Sequence, residues 1–152
     1  MKDDETISIL NDLIKTCLDG KECFKACMDD ASDRHLELTS MLAARQMAWA
    51  SAASELQEQV RFRGGEPEIS GSVAGALHRK WLDFKTAIVG KDDEAVMNEC
   101  ERSETSAEKS YLDALEKDMP GELRPVIERQ YQDVTHSHDQ LKKLREQLTI
   151  SA

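Results

Sequence analysis

Gly64-Gly65-Glu66-Pro67-Glu68-Ile69-Ser70-Gly71 decides the fold of this chain. Proline lacks the amide donor that a helix needs, and glycine favours open or left-handed backbone, so no helix continues through this stretch. It is the one real loop in the sequence. Three prolines and seven glycines are all that punctuate 152 residues, and most fall between long stretches whose apolar residues recur every three to four positions.

Upstream of the loop, a segment ending near Arg63 sets Leu38, Leu42, Trp49, Ala52, Leu56 and Val60 on one helical face. The short polar turn Asp30-Ala31-Ser32-Asp33 separates it from a first stretch, about Asp3 to Ala31. There Leu10, Ile14, Cys17, Phe24 and Met28 form one stripe, widened by Leu13 and Leu18. So short a turn predicts an antiparallel pair.

Downstream, Ser72 caps a shorter predicted helix to about Val89 with Val73, Leu77, Trp81, Phe84 and Ile88 as its stripe, ended by Gly90. Asp92 or Asp93 starts another, in which Val96, Cys100, Ala107, Tyr111 and Ala114 share a face and Pro120-Gly121 closes the run. The last helix, about Glu122 to Leu148, buries Leu123, Ile127, Tyr131, Val134, Leu141, Leu144 and Leu148. No segment has the period-2 alternation of a strand.

Helices of about 25 to 30 residues run about 40 Å, and the 72–89 helix is too short to match them. It therefore belongs to a crossover between two antiparallel hairpins. The fold predicted for residues 1–152 is a single all-α, ferritin-like four-helix bundle with an extra short helix in the crossover. A plain five-helix array is the alternative.

The net charge of −10 is spread along the chain and repels phosphate backbones and anionic lipid headgroups, which argues against nucleic acid and membrane surfaces as partners. Met1-Lys2-Asp3-Asp4-Glu5 leads into an amphipathic segment and not into the apolar core of a secretory signal, and no later run spans a bilayer. The expected compartment is the cytoplasm. Cys17, Cys23, Cys27 and Cys100 are expected as reduced thiols, with Cys23 and Cys27 read as surface thiols whose i, i+4 spacing lacks a second Cys or His pair.

Several stretches also resemble a known family. Leu10-Asn11-Asp12-Leu13-Ile14, Gly71-Ser72-Val73-Ala74-Gly75-Ala76-Leu77-His78-Arg79-Lys80-Trp81, Glu99-Cys100-Glu101-Arg102-Ser103-Glu104 and Arg129-Gln130-Tyr131 are similar to the bacterial ferritin-like four-helix-bundle proteins of domain of unknown function 2383. The family pattern tends to glycine where this chain has Lys80 and Ser103, and to a Gly-aromatic pair where it has Cys23-Phe24. The resemblance implies a bundle of bacterial origin. It brings no established activity, so no catalytic residue carries over.

A ferritin-type di-iron site needs a Glu from each of two helices and Glu-x-x-His from each of the other two, so that carboxylates bridge metals about 3.5 to 4 Å apart. Only Asp133-x-x-His136 approximates one half of that motif, and His136 points away from the apolar stripe. Three other polar residues point inward by spacing. His138 falls between Val134 and Leu141, Glu104 between Cys100 and Ala107, and Arg45 between Leu42 and Trp49. Measured from the turn near Met119-Pro120, Glu104 and His138 differ in height by roughly 4 to 5 Å. Two readings follow. One is a divalent metal or cofactor site with Glu104 and His138 as ligands, helped by Glu22, Glu55 or Glu101. The other is a structural polar layer of Glu104, Arg45 and His138, favoured because a guanidinium disfavours a divalent cation and pairs with a buried carboxylate.

Trp49, Trp81, Tyr111 and Tyr131 lie on apolar stripes and read as core, and His78 as a boundary histidine. No phosphate loop or nucleophile elbow stands out. The functional expectation is a non-catalytic bundle that binds a protein partner or itself. The alternative is a bundle that binds iron, manganese or zinc, with oxidase-like or storage chemistry.

Overall fold

The computed structural model describes residues 3–30, 36–72 and 93–151. The predicted 72–89 helix, with His78 and Trp81, lies outside the described residues, as do Ala31 to Asp33, His35 and the side chain of Leu148. Four helices are described, α1 (Asp3–Asp30), α2 (Leu36–Phe62), α3 (Asp93–Leu115) and α4 (Arg124–Ser151), with no strand among the described residues. No described helix is long and apolar enough to cross a membrane.

The buried residues explain why four long helices pack as a bundle. In α1 they run Thr6, Leu10, Leu13, Cys17, Phe24 and Cys27, and in α3 Met97, Cys100, Glu104, Ala107, Tyr111 and Ala114. α4 buries Ile127, Gln130, Val134, Ser137, Leu141 and Leu144. Steps that alternate between three and four residues keep one seam facing the same neighbour along the whole helix. α2 differs, because Leu38, Trp49 and Val60 recur at eleven residues, a period near 3.67 per turn. Four expected core residues, Leu18, Met28, Ala52 and Tyr131, are only partly buried, at the edges of their seams.

Side-chain contacts give the directions. Gly65, just after α2, abuts Ile7 near the start of α1, and Cys23 reaches Glu99 while Ile9 and Leu13 lie beside Ser110 and Ala114. Both α2 and α3 therefore run antiparallel to α1. α4 returns antiparallel to α3, with Tyr111 on Gln130 and Glu101 on Arg145. α1 packs broadly on α2 and on α3, and α3 on α4, whereas α2 and α4 meet over only a few residues. That fourth edge is joined by polar side chains.

Helix ends follow local chemistry. α2 stops in a Schellman turn, with Gly65 N–H donating to Val60 C=O at 3.0 Å and Gly64 N–H to Arg61 C=O at 2.9 Å. Gly64 sits at φ +80°, where a side chain would be strained. α3 ends at Leu115, short of the expected Pro120-Gly121, because Arg124 reaches back to the carbonyls of Leu115 and Lys117, both at 3.0 Å.

The segment after α2 climbs along α1. Asn11 donates to Glu66 C=O at 3.1 Å and accepts from Glu68 N–H at 2.9 Å, while Asp19, two turns further on, accepts from Ser72 N–H at 2.8 Å and from its hydroxyl at 2.6 Å.

Candidate functional site

Two polar layers cross the apolar core. In the first, Arg45 of α2 is 6% exposed and donates through Nε to Oε1 of Glu104 on α3 at 3.1 Å and through Nη1 to Oδ2 of Asp133 on α4 at 3.0 Å. Ser137 Oγ of α4 donates to the same Glu104 oxygen at 3.0 Å. The Arg45 guanidinium also lies 5.1 Å from the Trp49 ring centroid, within cation–π range. Trp49 in turn presses on Gly20 of α1, where a Cβ would sit 2.8 Å from the indole Cε2 and Nε1. Glu104 is fully buried, and burial pushes its carboxyl up from the ordinary 4.5, against the opposing pull of Arg45. Glu104 Oε2 and Trp49 Nε1 are buried without a hydrogen-bond partner among the described residues.

The second layer touches all four helices. Gln130 on α4 donates from Nε2 to Glu55 Oε1 on α2 at 2.7 Å, which fixes its amide so that Oε1 accepts from Tyr111 OH on α3, also at 2.7 Å. With its one proton committed there, the tyrosine hydroxyl accepts from the Cys17 thiol of α1 at 3.2 Å. Arg129 completes the chain on Glu55. Burial pushes the Cys17 thiol up to about 12 and Tyr111 well above its usual value, so both stay protonated.

Between α1 and α3 the remaining thiols gather. Cys23, Cys27 and Cys100 are buried, and Cys27 is in hydrogen-bonding reach of both others. Cys23 Sγ donates to Glu99 Oε1 at 3.6 Å, and Arg102 clasps that carboxylate with a shortest contact of 2.6 Å. The bond to Cys27 and burial raise Cys23, the bond to Cys100 raises Cys27, and Cys100 is raised by burial against the opposing effect of Cys27. All four cysteines are free.

The family model of a domain of unknown function, DUF2383, matches residues 5–117. The chain belongs to this family. No curated protein matches it. Arg45, Glu55, Glu104 and Tyr111 of this DUF2383 chain fall inside the matched residues, while their α4 partners Gln130, Asp133 and Ser137 fall beyond them.

The inward residues expected from sequence are brought together only in part. Arg45 and Glu104 meet, but His138 does not join them. Its Nδ1 pairs with Glu108 Oε1 at 2.7 Å at the rim, and Ser137, one residue earlier, takes the inward place. Asp133 and His136 of the half-motif part company, Asp133 on Arg45 and His136 exposed. Glu55 and Glu101 are engaged by Gln130 and Arg145, and Glu22 is half-buried on α1. Among the described residues no three His, Cys, Asp or Glu side chains are arranged to hold a metal ion.

Cys23 and Cys27 are not surface thiols in this DUF2383 chain, because the α1 seam includes both, at 4% and 0% exposure. Sequence reasoning also missed Gln130, Ser137 and the Cys17–Tyr111 link. The signal was there in α4, where 127, 130, 134, 137, 141 and 144 keep the alternating step through two polar residues.

Proposed function

We propose that this chain is a non-catalytic, ferritin-like bundle of the cytoplasm that works through its surface, binding a protein partner or itself. Arg45 with Glu104, and Glu55 with Gln130 and Tyr111, engage one another across helices, which supports a role in helix register. The climb of residues 65–72 along α1 supports a crossover between the two hairpins. The net charge of −10 supports a partner other than nucleic acid or an anionic membrane.

The observation that carries the reading is the outer face of α2. One residue in three of the chain is charged, yet from Leu38 to Ser54 the only charge is Arg45, which is buried. Met47 stands out on this helix at 74% exposure, with Leu36 at 73% and Phe62 at 85%. A helix that is weakly polar on its solvent side as well as its core side is suited to burial against another surface.

The competing reading is a metal-binding bundle with Glu104 and His138 as ligands to iron, manganese or zinc. Elemental analysis of protein purified without added metal separates the two. Substoichiometric metal is expected, and one equivalent or more of any of the three would overturn the non-catalytic reading.

A further inference from the structure

We infer that the outer face of α2 docks on the same face of a second copy of this chain, antiparallel about a two-fold axis, with Leu36 of each copy against Phe62 of the other. This rests on the surface reading above and names its occupant. The eleven-residue period of α2 keeps its solvent side in line as well as its core side. Leu36 and Met47 stand two residues before Leu38 and Trp49, and Glu58 two before Val60, so the three share one line. Phe62 follows one turn after Glu58. The exposed apolar residues of the helix therefore lie along a single face.

Charge selects the occupant. Two copies that each carry −10 repel wherever their acidic faces meet, and the exposed sides of α1, α3 and α4 all carry carboxylates. The stretch from Leu38 to Ser54 is where two such molecules come together without apposing like charges. A basic partner would be drawn to the acidic faces instead.

Symmetry selects the direction. Leu36 and Phe62 are the first and last residues of α2, and Met47 lies near its middle. An antiparallel two-fold sets first against last at both ends, brings Met47 near the partner's Ser51 and leaves Glu58 opposite Ser40. A parallel pair would stack Glu37 on Glu37, Glu58 on Glu58 and Arg61 on Arg61. Ser40, Ala44, Ser51 and Ser54 on the exposed side let two helices approach closely. A face about 40 Å long and about 10 Å wide buries about 400 Å² per copy, so the dimer is weak, with a dissociation constant in the micromolar range or above.

Sedimentation equilibrium under reducing conditions, from about 1 μM to about 1 mM, tests this. The wild type is expected to show a reversible monomer–dimer equilibrium, and Met47→Asp to weaken it at least tenfold with an unchanged helical spectrum, since Met47 is exposed. Leu36→Glu is expected to weaken it similarly. Leu36→Glu combined with Phe62→Lys is expected to regain most of the loss, because only the antiparallel register brings the new charges together. A wild type that is monomeric throughout, assembly beyond a dimer, or no rescue by the double variant would overturn the inference. A monomer with little metal would sink the second copy alone, whereas stoichiometric metal would sink the non-catalytic reading in any oligomeric state.

Discussion

Arg45 and Glu104 pair at 3.1 Å across the diagonal of the bundle, between two helices, α2 and α3, that share no backbone contact of their own. Replacing Glu104 by Ala leaves the buried Arg45 guanidinium with only the exposed carboxylate of Asp133 and strands the Ser137 hydroxyl, so a loss of about 2 to 4 kcal/mol is expected. Glu108→Ala breaks only the partly exposed contact with His138 and should cost less than about 1 kcal/mol. Urea melts of both variants check this, and equal small losses would show that Glu104 does not hold the layer.

The same carboxyl makes stability depend on pH in an unusual direction. Glu104 binds its proton more tightly when folded than when unfolded, so its contribution is full below about pH 4.5 and is lost as pH rises through the raised folded value. Glu104→Gln keeps an oxygen for Arg45 and Ser137 but cannot ionise. The variant should gain on the wild type as pH climbs from 4.5 toward 8, read as the difference between two denaturation series. A difference independent of pH would refute the assignment.

Gly20→Ala tests the contact between α1 and Trp49. On an exposed helix surface the change would stabilise by up to about 1 kcal/mol through helix propensity. Here the added methyl meets the indole at 2.8 Å, and a loss of about 1 to 3 kcal/mol is expected. The sign of the shift in thermal midpoint decides it.

For the cysteines, Ellman titration of the native protein at pH 8 should be slow at every thiol, because all four are buried and hold their protons tightly. After unfolding in guanidinium without reductant, four thiols are expected at once. Two or fewer would mean native disulfides.

The helices and most of their inward faces could be read from spacing alone, because Leu10, Ile14, Cys17 and Phe24, or Cys100, Ala107 and Tyr111, leave one continuous apolar line. Arg45 and Glu104 were legible for the same reason, as polar residues standing inside such a line. In α4 the line passes through Gln130 and Ser137, and a wheel anchored on Val134 and Leu141 admits either 137 or 138 between them, so the spacing points to His138 where the packed helix turns Ser137 inward. The meeting of Cys27 with Cys100 had no local signal. It depends on how α1 and α3 are rotated against each other, which only the packed bundle fixes.

The edge between α2 and α4 rests on Arg45 with Asp133, Arg129 with Glu55 and Arg63 with Glu122, each pair having at least one member largely open to solvent. Mobile ions screen such pairs over about 10 Å at 0.1 M and leave apolar contacts intact. Ionic strength therefore acts most on this side of the molecule, because the other three edges are held chiefly by apolar packing, with Glu101–Arg145 and Glu108–His138 as additions on the edge between α3 and α4. In dilute buffer the four helices close into a cylinder, while concentrated salt shifts them toward a trough hinged on α1 and α3. Faster amide exchange at Ala52 and Gln130 in high salt, with Leu13 and Ala107 unchanged, would be its signature, and uniform exchange would rule it out.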